Sequence, residues 1–375
     1  SKGGIFMKAI TRFTNALMEK YLPDPYIFVA ILTAIVVGLG MIFTDSSFVD
    51  MTIYWGDGFW GILAFTMQMV IVLAAGHVLA NSPLFKKVLS GAASKIKTPS
   101  MAIIVVTFVS LVACWINWGF GLVIGALFAK EIARQVRKVD YRLLIASAYS
   151  GMVIWHGGLA GSIPLSIATE GHPFQDVMGV VDTNTTLFST YNLFIVLVIL
   201  FTLPFFNRFL MPKDEDVVEI DPSLIKDEEI ALPKPEKNFA SISERSYIIT
   251  GIVGLLGVTY IVYHFATKGF KLDLNIINTI FVISGIILHG TPQRFLAAAQ
   301  QAIKTTSGIV FQFPFYAGIM GMMTFSGLGA VMSDWFINIS NDTTFYLFTF
   351  YSAGLVNFFV PSGGGQWTVQ APVML

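Results

Sequence analysis

The chain has 375 residues, of which 55% are hydrophobic and only 12% charged, and its mean hydropathy is +0.71. These values lie far from those of water-soluble globular domains, and the balance of 23 basic and 23 acidic residues leaves no basic surface for nucleic acid. The single cysteine, Cys114, excludes an intramolecular disulfide and argues against a cysteine-cluster metal site. Several apolar runs are long enough to cross a bilayer, and alternating strands of about ten residues are absent. The composition therefore predicts an all-α polytopic membrane protein.

The first predicted spans take their direction from charged flanks. Residues 1–25 are basic and are predicted to be a cytoplasmic segment, because basic flanks favour that side of the membrane. Residues 27–43 would cross outward to an acidic connection without Lys or Arg. Residues 60–84 would then return to a basic cytoplasmic segment.

The next apolar run, residues 101–128, has basic residues on both flanks, and with the start of its far flank it makes a hairpin near residues 101–133. Both of its ends are therefore predicted on the cytoplasmic side, so the run must enter and leave the membrane by the same face. The sequence CWINWGFG at residues 114–121 supplies the turn. We predict a re-entrant hairpin here. The alternative is a full span whose outer flank happens to be basic.

A broken helix is predicted at residues 143–168, because WHGGLAGSIP at residues 155–164 interrupts an otherwise apolar run with glycines and a proline. Residues 187–210 would return to the cytoplasm from an acidic outer loop. Residues 26–211 thus form a first transmembrane repeat. The charged, proline-containing residues 212–245 are predicted to be a mostly irregular cytoplasmic linker.

The second half, residues 246–375, begins with a linking span at residues 247–266 and an inward span at residues 274–288. An amphipathic surface helix is predicted at residues 292–304 and an outward span at residues 307–332. An acidic outer segment follows at residues 333–344.

A second hairpin, entering from outside, is predicted at residues 344–375. Its first arm would end at Val360, its turn would comprise residues 361–365 (PSGGG), and its second arm would begin at Gln366. Glycines are costly inside a spanning helix, and lipid cannot satisfy an irregular backbone, so this turn is a candidate binding site. The alternative is a kinked helix that packs its glycines against a neighbouring helix.

The two hairpins are related by an internal repeat. A shift of 244 positions aligns LVACWINWGFG (residues 111–121) with LVNFFVPSGGG (residues 355–365) and pairs Gln68 with Gln312. The charged flanks give the two hairpins opposite sidedness, which predicts an inverted repeat of the kind found in secondary transporters. The same shift places the partner of the broken helix beyond Leu375, so we expect the natural chain to continue with C-terminal helices for about 70 residues.

Three motifs carry a family resemblance: VPSGGGQWTVQAP at residues 360–372, LPDPYIF at residues 22–28 and FQFPFYAGIMGM at residues 311–322. With these motifs the chain resembles the short-chain fatty acid transporter (AtoE) family, within the wider ion-transporter superfamily. The resemblance implies a scaffold domain and a transport domain built on two opposed hairpins. It also implies ion-coupled uptake of butyrate, acetoacetate or similar monocarboxylates across a bacterial inner membrane, by alternating access, and no enzymatic activity.

The predicted spans contain no Lys or Arg away from their ends, so helix N-termini and backbone amides would have to bind a carboxylate. Tryptophans beside the turns, including Trp155, could shape a slot for a short acyl tail, although most membrane tryptophans are interface anchors. The predicted substrate-binding residues are Asn117, Trp118 and Gly119 in the first hairpin and Ser362, Gly363, Gly364, Gly365, Gln366 and Trp367 in the second.

His156 is the ionisable residue beside the predicted helix break and is therefore the candidate for proton coupling, with Gly157, Gly158 and Ser162 around it. The alternative is a neutral histidine bonded to a broken-helix carbonyl. Freed carbonyls could instead hold Na⁺ at unassigned positions, and no cofactor or other metal is predicted. Gln68 and Gln312 are interpreted as interhelical hydrogen-bond partners.

Other functions were weighed against monocarboxylate transport. A hydrolase that uses Ser362 with His156 is disfavoured because Ser362 lacks a GxSxG elbow. A carrier of C4-dicarboxylates or other organic anions and an anion channel remain alternatives, the first weakened by the absence of an intramembrane Arg. The implied partners are a small monocarboxylate and the lipid bilayer, and a homodimer is left open.

Overall fold

The computed structural model describes residues 22–225 and 232–375, together with Phe13, Thr14, Ala16 and Lys20. Among these residues, all of the regular secondary structure is helical, and turns and irregular segments connect the helices. The helices before the linker are α1 (Pro25–Phe43), α2 (Phe48–Gly58), α3 (Leu63–Ala80), α4 (Pro83–Ala93), α5 (Pro99–Ile116), α6 (Trp118–Gln135), α7 (Tyr141–Ser150), α8 (Ser162–Ile167), α9 (Gln175–Met178) and α10 (Thr190–Phe209).

The remaining helices are α11 (Phe239–Glu244), α12 (Tyr247–Lys268), α13 (Leu274–His289), α14 (Pro292–Ile303), α15 (Ser307–Phe325), α16 (Leu328–Ile339), α17 (Phe345–Phe359) and α18 (Gly363–Met374). Short 3₁₀ helices occupy Gly151–Gly157, Asp214–Asp216, Pro222–Leu224 and Lys304–Thr306. Most of the predicted N-terminal segment, residues 1–25, and residues 226–231 of the predicted linker lie outside the described residues.

Seven helical stretches within the described residues are long and apolar enough to cross a membrane: Pro25–Phe43, Leu63–Ala80, Pro99–Ile116, Tyr141–Ile167, Thr190–Phe209, Tyr247–Lys268 and Pro292–Phe325. The prediction of an all-α polytopic membrane protein is confirmed. The inverted repeat and the re-entrant course of the hairpins stay predictions.

The acidic connection after the first span contains a helix that the charge pattern did not indicate. Ser47 and Asp50 form a capping box in which the Ser47 side chain accepts from the Asp50 N–H and the Asp50 side chain accepts from the Ser47 N–H at 2.8 Å. An acidic residue is stabilising in the first turn of a helix. Asp50 therefore starts α2 rather than marking a loop.

The structure divides the predicted span at residues 307–332 between two helices, and its outward direction stays a prediction. Helix α15 ends at Phe325, and Gly327 takes a φ of +77°, a conformation that favours glycine. Helix α16 then runs to Ile339, through part of the segment predicted to be an outer loop. A glycine at a helix end, rather than the hydropathy of the run, sets this boundary.

The predicted turn of the second hairpin is shorter than expected. The break comprises Val360 to Ser362, and the three glycines at residues 363–365 form the first turn of α18, so the second arm starts before Gln366. The cost of glycine in a helix is stated for interior positions, where its backbone loses most freedom, and is therefore smaller in a first turn. The predicted break within residues 143–168 is confirmed, since α7 ends at Ser150, a 3₁₀ helix runs from Gly151 to Gly157, and α8 begins only at Ser162.

Contacts divide the chain into two compact units. Unit 1 comprises residues 1–61 and 312–375, and unit 2 comprises residues 62–311. The first hairpin and the broken helix belong to unit 2, whereas the second hairpin belongs to unit 1. This grouping is by contact, and the boundaries of the predicted repeats stay predictions.

Inside unit 2, α3 and α13 run parallel. The Asn278 side chain donates to the backbone carbonyl of Gln68, and ten residues further along α3 the carbonyl of Val78 bonds His289 Nε2 at 2.8 Å. Gln68 also donates from Nε2 to Asn275 Oδ1 at 2.9 Å, so its predicted interhelical role is confirmed. Parallel packing agrees with the prediction that both spans cross inward.

The described part of the linker, residues 212–225 and 232–245, is largely irregular, as predicted, and it is anchored to the start of α7. The Asp140 carboxylate accepts from the Val218 N–H at 2.9 Å, and Tyr141 N–H donates to the Val218 carbonyl at 2.9 Å. The Arg142 guanidinium bonds both Asp140 and the Asp216 carbonyl, at 2.8 and 3.1 Å. Charged residues just outside a span thus fix the path of the linker.

Unit 1 contains a close crossing of α2 and α15. A Cβ on Gly58 would lie 2.7 Å from the Ala317 carbonyl oxygen and from Gly321 Cα. Aromatic side chains surround this crossing, with Phe315 in edge contact with Tyr26 and Phe59. The motif at residues 311–322 therefore builds a helix crossing, which small residues permit.

Candidate functional sites at the hairpin tips

The first tip is formed by Asn117, which ends α5 and N-caps α6 with φ −159° and ψ 125°. Its Oδ1 accepts from the Phe120 N–H at 2.9 Å, and its Nδ2 donates to the Val72 carbonyl on α3 at 3.4 Å. Asparagine is among the preferred N-cap residues. One fully buried side chain thus closes the turn and fastens it to a neighbouring span.

Gly119 lies in the first turn of α6 and packs against α3. A Cβ there would lie 2.8 Å from Leu73 Cα. The reverse contact comes from Gly76, where a Cβ would meet the Phe120 amide nitrogen. Glycine at these two positions lets the tip approach α3 closely, a requirement that involves no ligand.

The broken helix packs directly on the arm of the first hairpin. Leu159 N–H donates to the Trp115 carbonyl at 2.7 Å, and Trp115 Nε1 donates to the Gly157 carbonyl at 3.1 Å. Asn192 Nδ2 also donates to the Gly157 carbonyl at 3.1 Å. A Cβ on Gly158 would collide with the Trp115 carbonyl oxygen. Backbone groups freed by the break are thus satisfied by the neighbouring helices, as a bilayer requires.

His156 meets the tip through a row of side chains. Its Nε2 lies 3.1 Å from Ser162 Oγ, and its ring stacks on Trp155 with centroids 4.0 Å apart. Trp155 in turn contacts Trp118 edge-on at 5.8 Å. Trp118 Nε1 is buried and has no hydrogen-bond partner among the described residues. Unit 2 therefore brings Trp118, His156 and Ser162 together, and His156 pairs with a hydroxyl rather than with a broken-helix carbonyl.

The second tip repeats this geometry. Ser362 N-caps α18 with φ −151° and ψ 125°, and its Oγ accepts from the Gly365 N–H at 3.4 Å. The structural match of Asn117 with Ser362 corresponds to a shift of 245 (362 minus 117), one more than the shift found in the sequence. Each tip places the N-terminal end of a helix, with its free N–H groups and partial positive charge, directly after the cap.

The Gln366 side chain ties the two arms of the second hairpin together. Its Oε1 accepts from Asn357 Nδ2 at 2.9 Å, and its Nε2 donates to the Ala353 carbonyl at 3.1 Å and to Gln370 Oε1 at 3.0 Å. The Gln366 side-chain amide therefore forms its hydrogen bonds with the two arms of the second hairpin. Gln312 bonds Tyr316 within α15 at 3.4 Å, which is not the interhelical contact that was predicted.

The glycines of the second tip are buried, and at least one of them packs against a neighbour. A Cβ on Gly365 would lie 2.6 Å from the ring of Tyr316, which is fully buried. Thr368 Oγ1 bonds the Gly364 carbonyl at 2.9 Å, whereas Trp367 is half-buried. Gly365 thus packs against a neighbouring helix, as the alternative interpretation of the glycines predicted. Tyr316 was not among the predicted site residues, although it lies in the motif at residues 311–322.

The model of the short chain fatty acid transporter family matches residues 6–375 of this chain. The chain belongs to this family. A relative from Escherichia coli (strain K12) is 45% identical over 369 residues, which cover 98% of this chain and 84% of the relative. One from Haemophilus influenzae (strain ATCC 51907 / DSM 11121 / KW20 / Rd) is 44% identical over 375 residues, with the same coverage of both chains. Both carry the provisional name short-chain fatty acid transporter, and no solved structure matches the chain.

Proposed function

We propose that the protein is a secondary active transporter, rather than an enzyme, and that it moves short-chain fatty acids such as butyrate and acetoacetate across a bacterial inner membrane. The proposal rests on membership of the short chain fatty acid transporter family over residues 6–375. Transport would proceed by alternating access with ion coupling, in a multi-pass protein whose N-terminus is cytoplasmic.

Each tip, within its own unit, supplies hydrogen-bond donors of the kind that a carboxylate needs. In each tip the cap oxygen already accepts a backbone N–H, which leaves the other N–H groups of the first helical turn as donors. Anions bind favourably at such helix ends. Trp118 Nε1 adds an unpaired indole donor at the first tip. The carboxylate would therefore be held mainly by backbone groups.

The aromatic side chains beside the first tip suit a short apolar tail. Trp118 and Trp155 meet edge-on and give this side of the tip an aromatic, apolar character that is compatible with an acyl chain. His156 lies at the far side of Trp155 and carries the one proton-binding group in this row. We propose His156 as the coupling residue if the driving ion is H⁺. Carbonyls near the break would serve if it is Na⁺.

The direct test is uptake of labelled butyrate into proteoliposomes under an imposed Na⁺ gradient, an imposed H⁺ gradient or neither. Protonated butyrate crosses lipid unaided, so protein-free liposomes under the same gradients are the essential control. We expect saturable uptake above that control, and counterflow when the vesicles are preloaded with unlabelled butyrate. Gradient-independent flux without counterflow would indicate a channel. Transport of a C4-dicarboxylate in preference to butyrate would replace the substrate.

A further inference from the structure

Two short helices of unit 2, α4 and α14, expose basic and aliphatic side chains side by side. Helix α4 follows α3 and contacts α13, whereas α14 follows α13 and contacts α3, so the two helices lie around the same pair of spans. Neither helix belongs to a hairpin tip or to the broken helix. We call their exposed side the α4–α14 surface, which comprises Leu84, Lys86, Lys87, Val88, Arg294, Leu296, Ile303 and Lys304.

Helix α4 is packed on one side and exposed on the other. Phe85 lies on the packed side, and its ring meets the ring of Phe120 edge-on with centroids 4.9 Å apart. Leu84 and Val88 are each about half exposed, and Lys87 is exposed between them. These three residues are three and four positions apart, so they share one side of the helix.

Helix α14 has the same design. Ala298 and Ala302 are buried against Val78 of α3, which fixes the inner side of the helix. Leu296 and Ile303 are seven residues apart, share another side and are each about half exposed. Aliphatic side chains left exposed beside charged ones are typical of helices that lie in the interface of a membrane.

The positive charges of the surface have no acidic counterpart. Lys86, Lys87, Arg294 and Lys304 are exposed, and the ion pairs of the described residues involve none of them. The sequence contains no Asp or Glu at residues 58–130 or 274–333, so neither helix has an acidic neighbour along the chain. The surface is therefore positively charged and requires negative charge from outside the protein.

Cations from the two helices come together at His289, the last residue of α13, just past the predicted span of residues 274–288. Burial lowers the pKa of His289, and the positive charges of Lys86 and Arg294 lower it further. Charges act on a common group in this way only over short distances. Helices α4 and α14 thus form one positive surface rather than two, and an anion beside Lys86 and Arg294 would reduce their mutual repulsion.

The combination of charge and aliphatic side chains decides which partner fits. A soluble anion would use the cations but not the aliphatic residues, and a zwitterionic lipid has no net charge to offer. A second copy of the chain would bring the same positive charge to a symmetric contact. We infer that the α4–α14 surface binds an anionic phospholipid, with its phosphate near Lys86 and Arg294 and its acyl chains along the aliphatic residues. Such binding is independent of the substrate that the tips carry.

Photolabelling reports which lipid touches the surface. The full chain is reconstituted in phosphatidylcholine vesicles that contain a small fraction of phosphatidylglycerol with a diazirine on its acyl chain, or of phosphatidylcholine with the same group. We expect the phosphatidylglycerol probe to label peptides with Val88 or Leu296 more strongly, by about fivefold or more, the contribution of one basic residue near an anionic surface. Peptides of α12, where Leu255 and Leu256 are exposed, should react equally with both probes.

Neutral variants test the role of the converging cations. Lys86→Gln combined with Arg294→Gln keeps two polar side chains but removes both charges, and should lower the preference for phosphatidylglycerol by about fivefold or more. Lys268→Gln combined with Lys271→Gln is the matched control, because it removes two exposed basic residues elsewhere in unit 2. The control should leave the labelling of α4 and α14 unchanged. Labelling of α12 checks that each variant is folded.

Competition with glycerol phosphate separates a lipid from a soluble anion. An excess should leave labelling unchanged, because this competitor carries the phosphate without an acyl chain. Displacement of the probe would overturn the assignment to lipid and show a site for soluble anions. Equal labelling by both probes, or a preference that survives the loss of both charges, would overturn it as well. Butyrate uptake is measured separately, so failure of either proposal leaves the other standing.

Discussion

At the residue scale, the side chains that close the two hairpin tips use their oxygens to accept hydrogen bonds from the backbone. Asn117 Oδ1 and Ser362 Oγ each accept a backbone N–H in the following helical turn. Such capping oxygens stabilise a helix but have less capacity left for a ligand. We therefore expect a carboxylate to bind the remaining backbone amides, so that blocking these amides should impair transport more than removing the cap oxygen.

We predict that Gly364→Val damages butyrate transport far more than Ser362→Ala. A Cβ with branches obstructs approach to the amides, whereas the loss of one neutral hydrogen bond changes affinity by roughly three- to tenfold. Uptake should be compared at equal expression and equal thermal stability. Gly365→Ala serves as the control for misfolding, because its Cβ would press on the Tyr316 ring. If Ser362→Ala is inactive while Gly364→Val transports normally, the serine oxygen is the ligand.

A second residue-scale prediction concerns His156, whose Nε2 lies 3.1 Å from Ser162 Oγ. If His156 carries the coupling proton, His156→Gln abolishes accumulation driven by a pH gradient but leaves substrate exchange, because exchange needs no net proton movement. Ser162→Ala keeps the imidazole and should retain coupling with an altered pH profile. Gradient-driven accumulation by His156→Gln, above protein-free liposomes, would assign His156 a structural role.

At the element scale, glycines let the broken helix lie against the first hairpin. Gly158 has φ −111° and ψ 178°, which any residue can adopt, so its need for glycine is purely steric and comes from the Trp115 carbonyl. Gly251 on α12 has open space where a Cβ would stand. A comparison of variants at Gly158 and Gly251 therefore measures the effect of close packing, because neither position requires a backbone conformation that only glycine adopts.

Gly158→Ala is expected to destabilise the protein by about 1–3 kcal/mol, as overpacking of a tight contact does. Gly251→Ala should instead raise stability by up to about 1 kcal/mol, because alanine is favoured over glycine inside a helix and its Cβ meets nothing there. Thermal unfolding in detergent, followed by tryptophan fluorescence, measures both. Equal melting temperatures for the two variants would mean that the broken helix can move away from Trp115 at no cost.

The anchored linker gives a prediction about pH. Burial of the Asp140 carboxyl raises its pKa, but hydrogen bonds from Arg142 and from the Val218 and Leu143 N–H groups outweigh burial and hold the pKa below its ordinary value. A lowered native pKa means that the anchor contributes stability above about pH 4, the unfolded value, and loses it as pH falls through the native pKa. Anchoring should therefore be constant at neutral pH and fail only in acid.

Asp140→Asn tests the anchor at neutral pH. The amide oxygen can still cap α7 at Leu143, but Nδ2 cannot accept from the Val218 N–H. Hydrogen–deuterium exchange around Val218 should accelerate about tenfold or more, because the lost bond involves a charged acceptor. Glu219→Gln, an exposed linker residue, makes the same change of charge and should have no effect. Unchanged exchange in Asp140→Asn would show that Tyr141 and Arg142 suffice.

At the scale of the whole molecule, sidedness is the property that the charge pattern predicts and that the helices alone leave untested. Cysteines at the exposed positions 95 and 137 should be labelled by a membrane-impermeant maleimide only from the cytoplasmic face, and those at Asp334 and Asp342 only from outside. The native Cys114 is fully buried, so the parent protein provides a low background. Labelling of positions 95 and 137 from opposite faces would make the first hairpin a full crossing.

The sequence by itself determined the class of protein and the places where helices break. Apolar runs identified spans because burial in lipid depends on length and composition. The breaks at Asn117 and around Gly157 followed from local preferences of asparagine, glycine and proline, which act within a few residues. The helical first turn at residues 363–365 does not follow from the low helix propensity of glycine; it depends on Ser362, which N-caps the helix.

Only the tertiary structure decided which helices share a unit and what each small residue is for. Gly365 packs against Tyr316, Gly158 packs against Trp115, and Asn278 donates a hydrogen bond to the Gln68 carbonyl. The two residues of each pair are at least 43 positions apart in the sequence. No local pattern encodes such pairs, because close packing depends on shape at a distance along the chain. The hairpin tips could therefore be located from the sequence, whereas the contacts that hold them required the folded chain.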